Sequence, residues 1–387
     1  MLKSHSSLFT PLNINKTYLP NRFMRSATYE ALSDSHTGLP TNKLKKMITT
    51  LADGEVGLIV PGYVYPIFHG KAAKSQSSMS HYCHAKAWEP VVSSIHQKGS
   101  KIMFQVCQGG VMCNPDDIFG HEPIGCSPID NHKGREMTNE EIEETIESFI
   151  QCAKRLKSIG SDGIQLHCAH NYLFCNFLSP ARNKRTDKWG GSFDNRLRIV
   201  YETAKSIRKV VGDDFLVSIK INSRDYIQNG VTPELCAAYI RRLHPIVDMF
   251  ELSGGMVGGT IIRSTVNEDL VKKKFKKNDV ENFLKFARDY CGDVKWTEGY
   301  HAENARIIRR LVPKEVKLAL VGGNRKFSAM QKLIDDGTVD MISLCRPFLR
   351  EPYLVRDLRT GKIDEIGCNS CGLCTMNRKN GIKCQNY

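Results

Sequence analysis

No stretch of this 387-residue sequence is apolar enough to cross a bilayer. The most hydrophobic run, residues 56–68, is short and broken by Pro61 and Pro66, whereas a spanning helix needs about 20 apolar residues. Residues 1–22 contain neither a sustained apolar segment nor a small-residue cleavage site, so no secretory leader is expected and a cytoplasmic location is. Linker-like segments are absent, and no shift in composition divides the chain. With 41% hydrophobic and 25% charged residues, large-scale disorder is excluded. Acidic residues are in the minority, at 41 against 55 Lys and Arg, for a formal charge of +14. The cations are scattered over expected helices and loops, as at Lys43, Lys45, Lys46 and residues 272–277. No RNA-binding aromatic signature or glycine-rich tail accompanies them, which argues for a solvated basic surface and against a nucleic-acid partner. A phosphate-bearing small molecule is the next class of partner that such a charge allows.

What is present is an alternation of short apolar runs with helical patterns. Strands are expected at residues 22–28, 56–64, 101–107, 163–166, 215–221, 249–252, 316–321 and 341–344. Helices are expected at 41–52, 85–98, 138–158, 195–211, 232–243, 280–290 and 327–335. The clearest helix starts at a capping box formed by Thr138 and Glu141, carries Ile142, Ile146, Phe149, Ala153 and Leu156 at helical spacing, and stops at Gly160. Pro233 suits a first helical turn. Eight β-to-α steps in one direction imply an α/β protein with a parallel sheet closed into a single (β/α)8 TIM barrel. The barrel is expected over residues 1–366, followed by a short Cys-rich tail at 367–387. Two doubly wound domains would require a linker. Residues 1–21 are expected to cover the barrel bottom and 67–84 to form a loop, in which His81 and His84 are solvated. Residues 256–300 are expected to make an excursion towards the substrate before helix 280–290.

Barrel chemistry sits at the C-terminal ends of strands. Those ends carry Ser26-Ala27-Thr28-Tyr29, Pro61-Gly62-Tyr63, Gln105, the cluster His167, His170 and Tyr172, Lys220, Ser253-Gly254-Gly255, Gly322-Gly323-Asn324 and Cys345-Arg346. Recurrent glycines let a flat ligand approach the backbone, and the last two strand ends are where barrels commonly bind phosphate. A glycosidase would need facing carboxylates, but Glu251 and Glu298 are the only candidates and neither has an evident mate. A metal hydrolase would want carboxylate ligands beside its histidines, and none is near His167 and His170 in sequence. Neutral donors plus a phenol instead suit polarisation of a carbonyl while a cofactor supplies electrons.

The segments NRFMRSATYE, GLIVPGY, FQVCQGG, HCAHNYLFCNFLSPARNKRTDKWGGSFDNR, LVGGN and SLCRPFLREP resemble the Old Yellow Enzyme family of NADH:flavin oxidoreductases. They are most similar to the branch containing 2,4-dienoyl-CoA reductase and trimethylamine dehydrogenase. The resemblance implies FMN as cofactor and NAD(P)H as reductant. It implies hydride transfer through flavin N5 to an activated C=C bond of an enone, enal or dienoyl compound. Ser26, Ala27, Thr28, Tyr29, Gly62, Gln105 and Lys220 match positions that touch the isoalloxazine, and Gly323, Cys345 and Arg346 match the FMN phosphate site. His167 and His170 match the pair that holds the substrate's electron-withdrawing group, and Tyr172 matches the proton donor. The sequence also departs from the family. Gln108 and Val111 replace a usual His and Arg, Lys220 replaces an arginine and loses its bidentate fork, and Tyr29 stands where many relatives have Cys or Thr. These departures leave the preferred alkene open. They are also the support for an alternative, a catalytically degenerate flavin-binding barrel acting as a binding or electron-transfer partner.

Fourteen cysteines are many for a reducing compartment. Ten are scattered, and small buried hydrophobes are the expectation for them. Cys368, Cys371, Cys374 and Cys384 have the spacing of a four-thiolate site, for which [4Fe–4S], zinc held by the four thiolates and a metal-free thiol tail all remain open. In the resembled branch a similar tail holds a [4Fe–4S] cluster beside FMN. The sequence ends at Tyr387 without the FAD/NAD(P)-binding domains of those relatives, so either a separate electron-donor protein or direct reduction by NAD(P)H is expected. A homo-oligomer is also expected.

Overall fold

The computed structural model describes residues 3, 5–129, 134–256, 260–265, 268–274, 279–282, 284–285, 295–375 and 380–386. Eight parallel strands form its centre: β1 (Phe23–Arg25), β2 (Leu58–Ile59), β3 (Lys101–Val106), β4 (Gly163–Cys168), β5 (Leu216–Asn222), β6 (Met249–Ser253), β7 (Lys317–Val321) and β8 (Met341–Leu344). Each pairs with its successor, and β8 returns to β1 through Ile342↔Phe23, Ser343↔Met24 and Leu344↔Arg25, which closes the barrel.

Strand alternation explains which side chains enter the barrel. In β5, Val217, Ile219 and Ile221 point outward into the core shared with the helices, while Leu216 points into the barrel. The barrel floor is apolar and is built from Met24, Leu58, Met103, Leu216, Met249, Ala319 and Met341. The antiparallel hairpin of Leu12–Ile14 and Thr17–Leu19 packs Leu12, Ile14 and Leu19 against it, so this part of the N-terminal segment covers the bottom.

Around the barrel lie α1 (Asn42–Asp53), α2 (Tyr82–Gln97), α3 (Asn139–Ser158), α4 (Phe193–Val211), α5 (Pro233–Leu243), α6 (Ala302–Leu311), α7 (Phe327–Asp335) and α8 (Leu354–Arg359). The capping box at α3 forms as expected: the Glu141 amide donates to Thr138 Oγ1 at 3.3 Å, and the Thr138 amide donates to Glu141 Oε2 at 2.9 Å. Such a cap contributes about 1 kcal/mol. Buried Ile142, Phe149 and Leu156 add about 1.5–3 kcal/mol each.

Three expectations need correction. The strand expected at 56–64 is two short pieces, β2 and Val64–Tyr65, because Pro61-Gly62 interrupts the ladder. The segment 67–84 contains the 3-10 turn Phe68–Gly70, the strand Ser77–Ser78 and the first turn of α2. There His84 is not solvated: its Nδ1 accepts from the His81 amide at 3.1 Å and its Nε2 lies 3.0 Å from the Thr37 carbonyl, making it the partner in a His81–His84 capping box. The described residues of the expected helix 280–290, namely 280–282 and 284–285, are helical, and the remainder lies outside those described. A further helix, α6, packs beside α5 before β7, with Ala305 and Ile308 buried one turn apart.

Candidate active site

The barrel interior turns polar one layer above its floor. Gln105 on β3 donates to Gln165 on β4 at 2.7 Å, and Gln165 donates to Glu251 Oε2 on β6 at 3.1 Å. Glu251 is fully buried, and its Oε1 accepts from Ser26 at 2.5 Å and from Ser343 at 2.7 Å. Lys220 on β5 reaches into this hub, with Nζ 2.8 Å from Ser26 Oγ and 3.4 Å from Glu251 Oε1. Lysine lacks guanidinium's fork, and a carboxylate below it compensates by fixing the ammonium at the barrel mouth. The residue that looked like an unmated glycosidase acid is therefore a counter-ion.

Above this layer lies a cavity of about 450 Å³ that contains most of the expected site. Inward alternation along β4 places His167 two residues beyond Gln165. The chain then turns through His170 (φ 63°) and Asn171 (φ 68°), two consecutive left-handed residues. Such a conformation costs roughly 1–2 kcal/mol per non-glycine residue and concentrates at functional sites. It folds His170 and Tyr172 back over the mouth beside His167. Ring centroids are 5.2 Å apart for His167 and His170, and 4.9 Å for His167 and Tyr172.

Both histidines are neutral. Burial pushes their pKa values well below the ordinary value; for His167 the Lys220 ammonium adds to this, and for His170 the His167, Lys220 and His301 groups do. The Ala169 amide donates to His167 Nδ1 at 3.3 Å, so neutral His167 carries its proton on Nε2. His170 Nε2 lies 2.7 Å from Ser253 Oγ, which leaves Nδ1 as the nitrogen that can meet a ligand.

At the other end of the cavity are Gly322, Gly323, Arg325 and Arg346. Gly322 (φ 126°) and Gly323 (φ 76°) expose their backbone, and a Cβ on Gly323 would stand 2.6 Å from Tyr300 Cδ1 and 2.7 Å from the Thr297 carbonyl. Among the described lining residues there are three permanent cations, Lys220, Arg325 and Arg346, and no carboxylate. A cavity with one phosphate-sized cationic end, a backbone cradle and a carboxamide and ammonium at the barrel mouth fits a flat phosphate-bearing cofactor such as FMN.

Ala27, Thr28, Tyr29, Gln105, His167, His170, Tyr172, Lys220, Gly323, Cys345 and Arg346 all line this cavity. Ser26 lies behind it, between Lys220 and Glu251. Gly62 is also displaced from the wall: its amide donates to Glu30 at 2.9 Å, and Glu30 in turn pairs with Arg25 at 2.7 Å.

The cysteine tail folds back over the mouth. Cys374 and Ile382 join the cavity wall. Arg325 Nε donates to the Cys368 carbonyl at 3.0 Å and Arg346 to the Ser370 carbonyl at 3.3 Å. Cys368, Cys371, Cys374 and Cys384 border one smaller adjoining cavity. Among the described residues no three His, Cys, Asp or Glu side chains are placed to hold a single metal ion.

Arg325 and His301 line the cavity without having been announced by the sequence, whereas Tyr63 stood out there only as part of a strand end and Glu251 only as a carboxylate without a mate. Arg325 follows the Gly322-Gly323-Asn324 strand end by one residue, and that adjacency was its only signal. His301 lines the cavity, and burial together with Arg263 pushes its pKa down to about 3. No helix among the described residues is long and apolar enough to cross a membrane.

A sequence profile of the NADH:flavin oxidoreductase / NADH oxidase family matches residues 7–239. The NADH-dependent flavin oxidoreductase nadA of Aspergillus parasiticus is 30% identical over 374 residues, covering 89% of this chain and 76% of its own. The chain spans about half the length of two longer curated relatives, the NADH oxidase of Thermoanaerobacter brockii and the N,N-dimethylglycine/sarcosine dehydrogenase of Chromohalobacter salexigens, at 27% identity to each. It spans 92% of the length of an NADPH dehydrogenase of Geobacillus, at 28% identity. Among solved structures, a 2-naphthoyl-CoA reductase in complex with 2-naphthoyl-CoA superposes with TM-score 0.80 at 25% identity, over 97% of this chain and 57% of that one. The Old Yellow Enzyme homologue of Zymomonas mobilis superposes with TM-score 0.71 at 20% identity, over 91% and 92%. The chain belongs to the NADH:flavin oxidoreductase / NADH oxidase family, whose members use FMN with NAD(P)H on an Old Yellow Enzyme barrel.

Proposed function

We propose that the protein reduces an activated C=C bond, of enone, enal or dienoyl type, with Tyr172 as proton donor. The observation that carries this reading is the convergence of His167, His170 and Tyr172 on one wall of a cavity whose far end is cationic and free of carboxylates among the described residues. When bound and reduced by NAD(P)H, FMN would supply the hydride that adds to the β-carbon. The protein's own residues do the rest. Neutral His167 donates from Nε2 to the substrate's carbonyl oxygen and, with His170, stabilises the negative charge that develops there. A neutral imidazole serves better than an imidazolium because it polarises the oxygen without protonating it outright. The Tyr172 hydroxyl then delivers a proton to the α-carbon. Lys220, held by Glu251 and Ser26, is placed to balance negative charge on the reduced cofactor, and Arg325, Arg346 and the Gly322-Gly323 backbone would hold its phosphate.

The cysteine tail supports an iron–sulfur cluster as a second group. The four thiols border one cavity, where they can serve as the four thiolate ligands of such a cluster. The departures at Gln108 and Val111, with Lys220 and Tyr29, bear on which alkene is accepted.

The test is direct. Purified protein should be yellow, should bleach with NAD(P)H under anaerobic conditions, and should regain colour with a member of an enone and dienoyl panel. Tyr172→Phe should slow the recolouring step by about 10²–10⁴ while sparing bleaching. Equal loss in both steps would reassign Tyr172, and colourless protein that cannot be reconstituted with FMN would defeat the reading.

A further inference from the structure

Tyr172 does not face the cavity alone. Its hydroxyl donates to the hydroxyl oxygen of Tyr63 at 3.1 Å, with ring centroids 5.4 Å apart and planes at 41°. The two phenols come from different elements. Tyr63 follows β2 and the Pro61-Gly62 break, whereas Tyr172 follows the left-handed turn after β4. Both line the cavity, so the barrel closure, and not local sequence, brings them together. Tyr63 also stands edge-on to His167, at 6.1 Å between ring centroids.

The titratable groups that face Tyr63 are the Tyr172 and Tyr29 phenols, the Cys107 thiol and His167. None of these is a carboxylate or a permanent cation. Burial pushes the Tyr63 phenol well above its ordinary value, and the neighbouring Tyr172 phenol adds to this. Tyr63 therefore stays protonated at any pH near neutrality, and it is a hydrogen-bond donor held in contact with the proposed acid.

We propose that Tyr63 is the second acid of the site, stabilising Tyr172 as that phenol gives up its proton and then returning a proton to it. The proposal rests on the reading of Tyr172 given above. When the Tyr172 O–H bond breaks, a C–H bond forms at the substrate's α-carbon, and the enolate's negative charge passes to the Tyr172 oxygen. The Tyr63 hydroxyl turns to donate to that oxygen across the 3.1 Å contact. As its proton crosses, Tyr63 takes one from water entering at the cavity mouth, so that Tyr172 is restored and the buried Tyr63 oxygen never holds the charge by itself. No electrons move in this relay, and the net proton comes from solvent. A hydrogen bond to an anion is roughly twice as strong as one between neutral groups, so the contact strengthens as the transition state is approached. Two phenols this close ionise as a pair, not as independent groups.

A packing role makes a different forecast. Phenylalanine keeps the ring contacts with Tyr172, Tyr29 and His167 and removes only the hydroxyl, so Tyr63→Phe would then change nothing. The experiment uses FMN-loaded protein and separates two half-reactions by stopped flow: bleaching by NAD(P)H, and recolouring by 2-cyclohexenone as the probe. Tyr63→Phe is expected to slow recolouring about tenfold while leaving bleaching within about twofold. In the double variant with Tyr172→Phe, no further loss beyond Tyr172→Phe is expected, because the two act in series. The second readout needs no alkene. Carbon-13 labelling at tyrosine Cζ, with resonances assigned from Tyr63→Phe and Tyr172→Phe, should show Tyr172 titrating at higher pH once Tyr63 is replaced.

Recolouring at the wild-type rate, an unmoved Tyr172 titration, or equal slowing of both half-reactions would overturn the proposal. If wild-type protein turned over no alkene, the titration alone would decide. A moved Tyr172 titration would sustain the phenol pair while the alkene reading failed, and an unmoved one would end both.

Discussion

Replacing Glu251 with Gln tests whether the polar layer of the barrel is organised around one carboxylate. Glu251 is fully buried and its two oxygens accept from Ser26, Ser343, Gln165 and the Lys220 ammonium. Glutamine keeps the shape but removes the charge and turns one acceptor into a donor that faces donors. Removing one partner of a buried ion pair typically costs about 3–5 kcal/mol, because the other charge stays behind. The Lys220–Glu251 contact at 3.4 Å is loose, and both serine hydroxyls can rotate, which places the effect near the lower end, about 3 kcal/mol. The assay is equilibrium urea unfolding of FMN-stripped protein, so that ligand linkage does not contribute. With an m-value of about 3 kcal/mol/M, the midpoint falls by about 1 M. Adding Lys220→Met to Glu251→Gln removes the stranded charge and should recover at least half of that loss. A single variant within about 0.5 kcal/mol of wild type, or a double variant no better than the single, would refute the ion-pair account.

Gly323→Ala should weaken FMN binding at least tenfold, measured by fluorescence titration of stripped protein, since the left-handed backbone and the 2.6 Å approach to Tyr300 leave no room for a Cβ; unchanged affinity would remove the glycine cradle from the phosphate site. His301 stays neutral down to about pH 3 in the native protein while a free histidine titrates near 6.5. Below about pH 6.5 the unfolded chain therefore binds a proton that the native state does not. Stability present above that pH is lost as pH falls, at about 1.4 kcal/mol per unit for this group. His301→Asn should flatten the stability slope between about pH 6 and 4.5 by one proton's worth, and an unchanged slope would mean that His301 protonates in the folded state. Anaerobically purified protein should carry iron and acid-labile sulfide in equal amounts, and Cys371→Ser should lower both. Finding neither element would leave the tail a thiol-rich cover.

The sequence by itself determined the architecture, because the signals that set it are local. Short apolar runs, the Thr138–Glu141 box, Pro233 at a helix start and the order of eight strand–helix steps each constrain a few neighbouring residues, and closure follows from repeating them. It also located the proposed catalytic cluster, since His167, His170 and Tyr172 fall within six residues of one strand end and the left-handed turn brings them together locally. Even so, local signals failed where the chain is interrupted. Pro61-Gly62 split a strand that its apolar run had suggested, and α6 formed at 302–311, where no helix had been expected.

Only the tertiary structure decided what faces what. Glu251 and Lys220 are 31 residues apart and become partners because β5 and β6 are adjacent and in register at Lys220↔Glu251. Gly62 turned out to serve Glu30 and not the cavity, because Arg25, Glu30 and the Gly62 amide form one buried contact behind the wall. Arg325 and Arg346 hold carbonyls of the cysteine tail while lining the cavity, so the tail became part of the candidate site and not an appendage to it. The meeting of Tyr63 with Tyr172 across 109 residues has the same origin. A pleated strand fixes which residues point inward, but only closing the barrel fixes which inward residues meet.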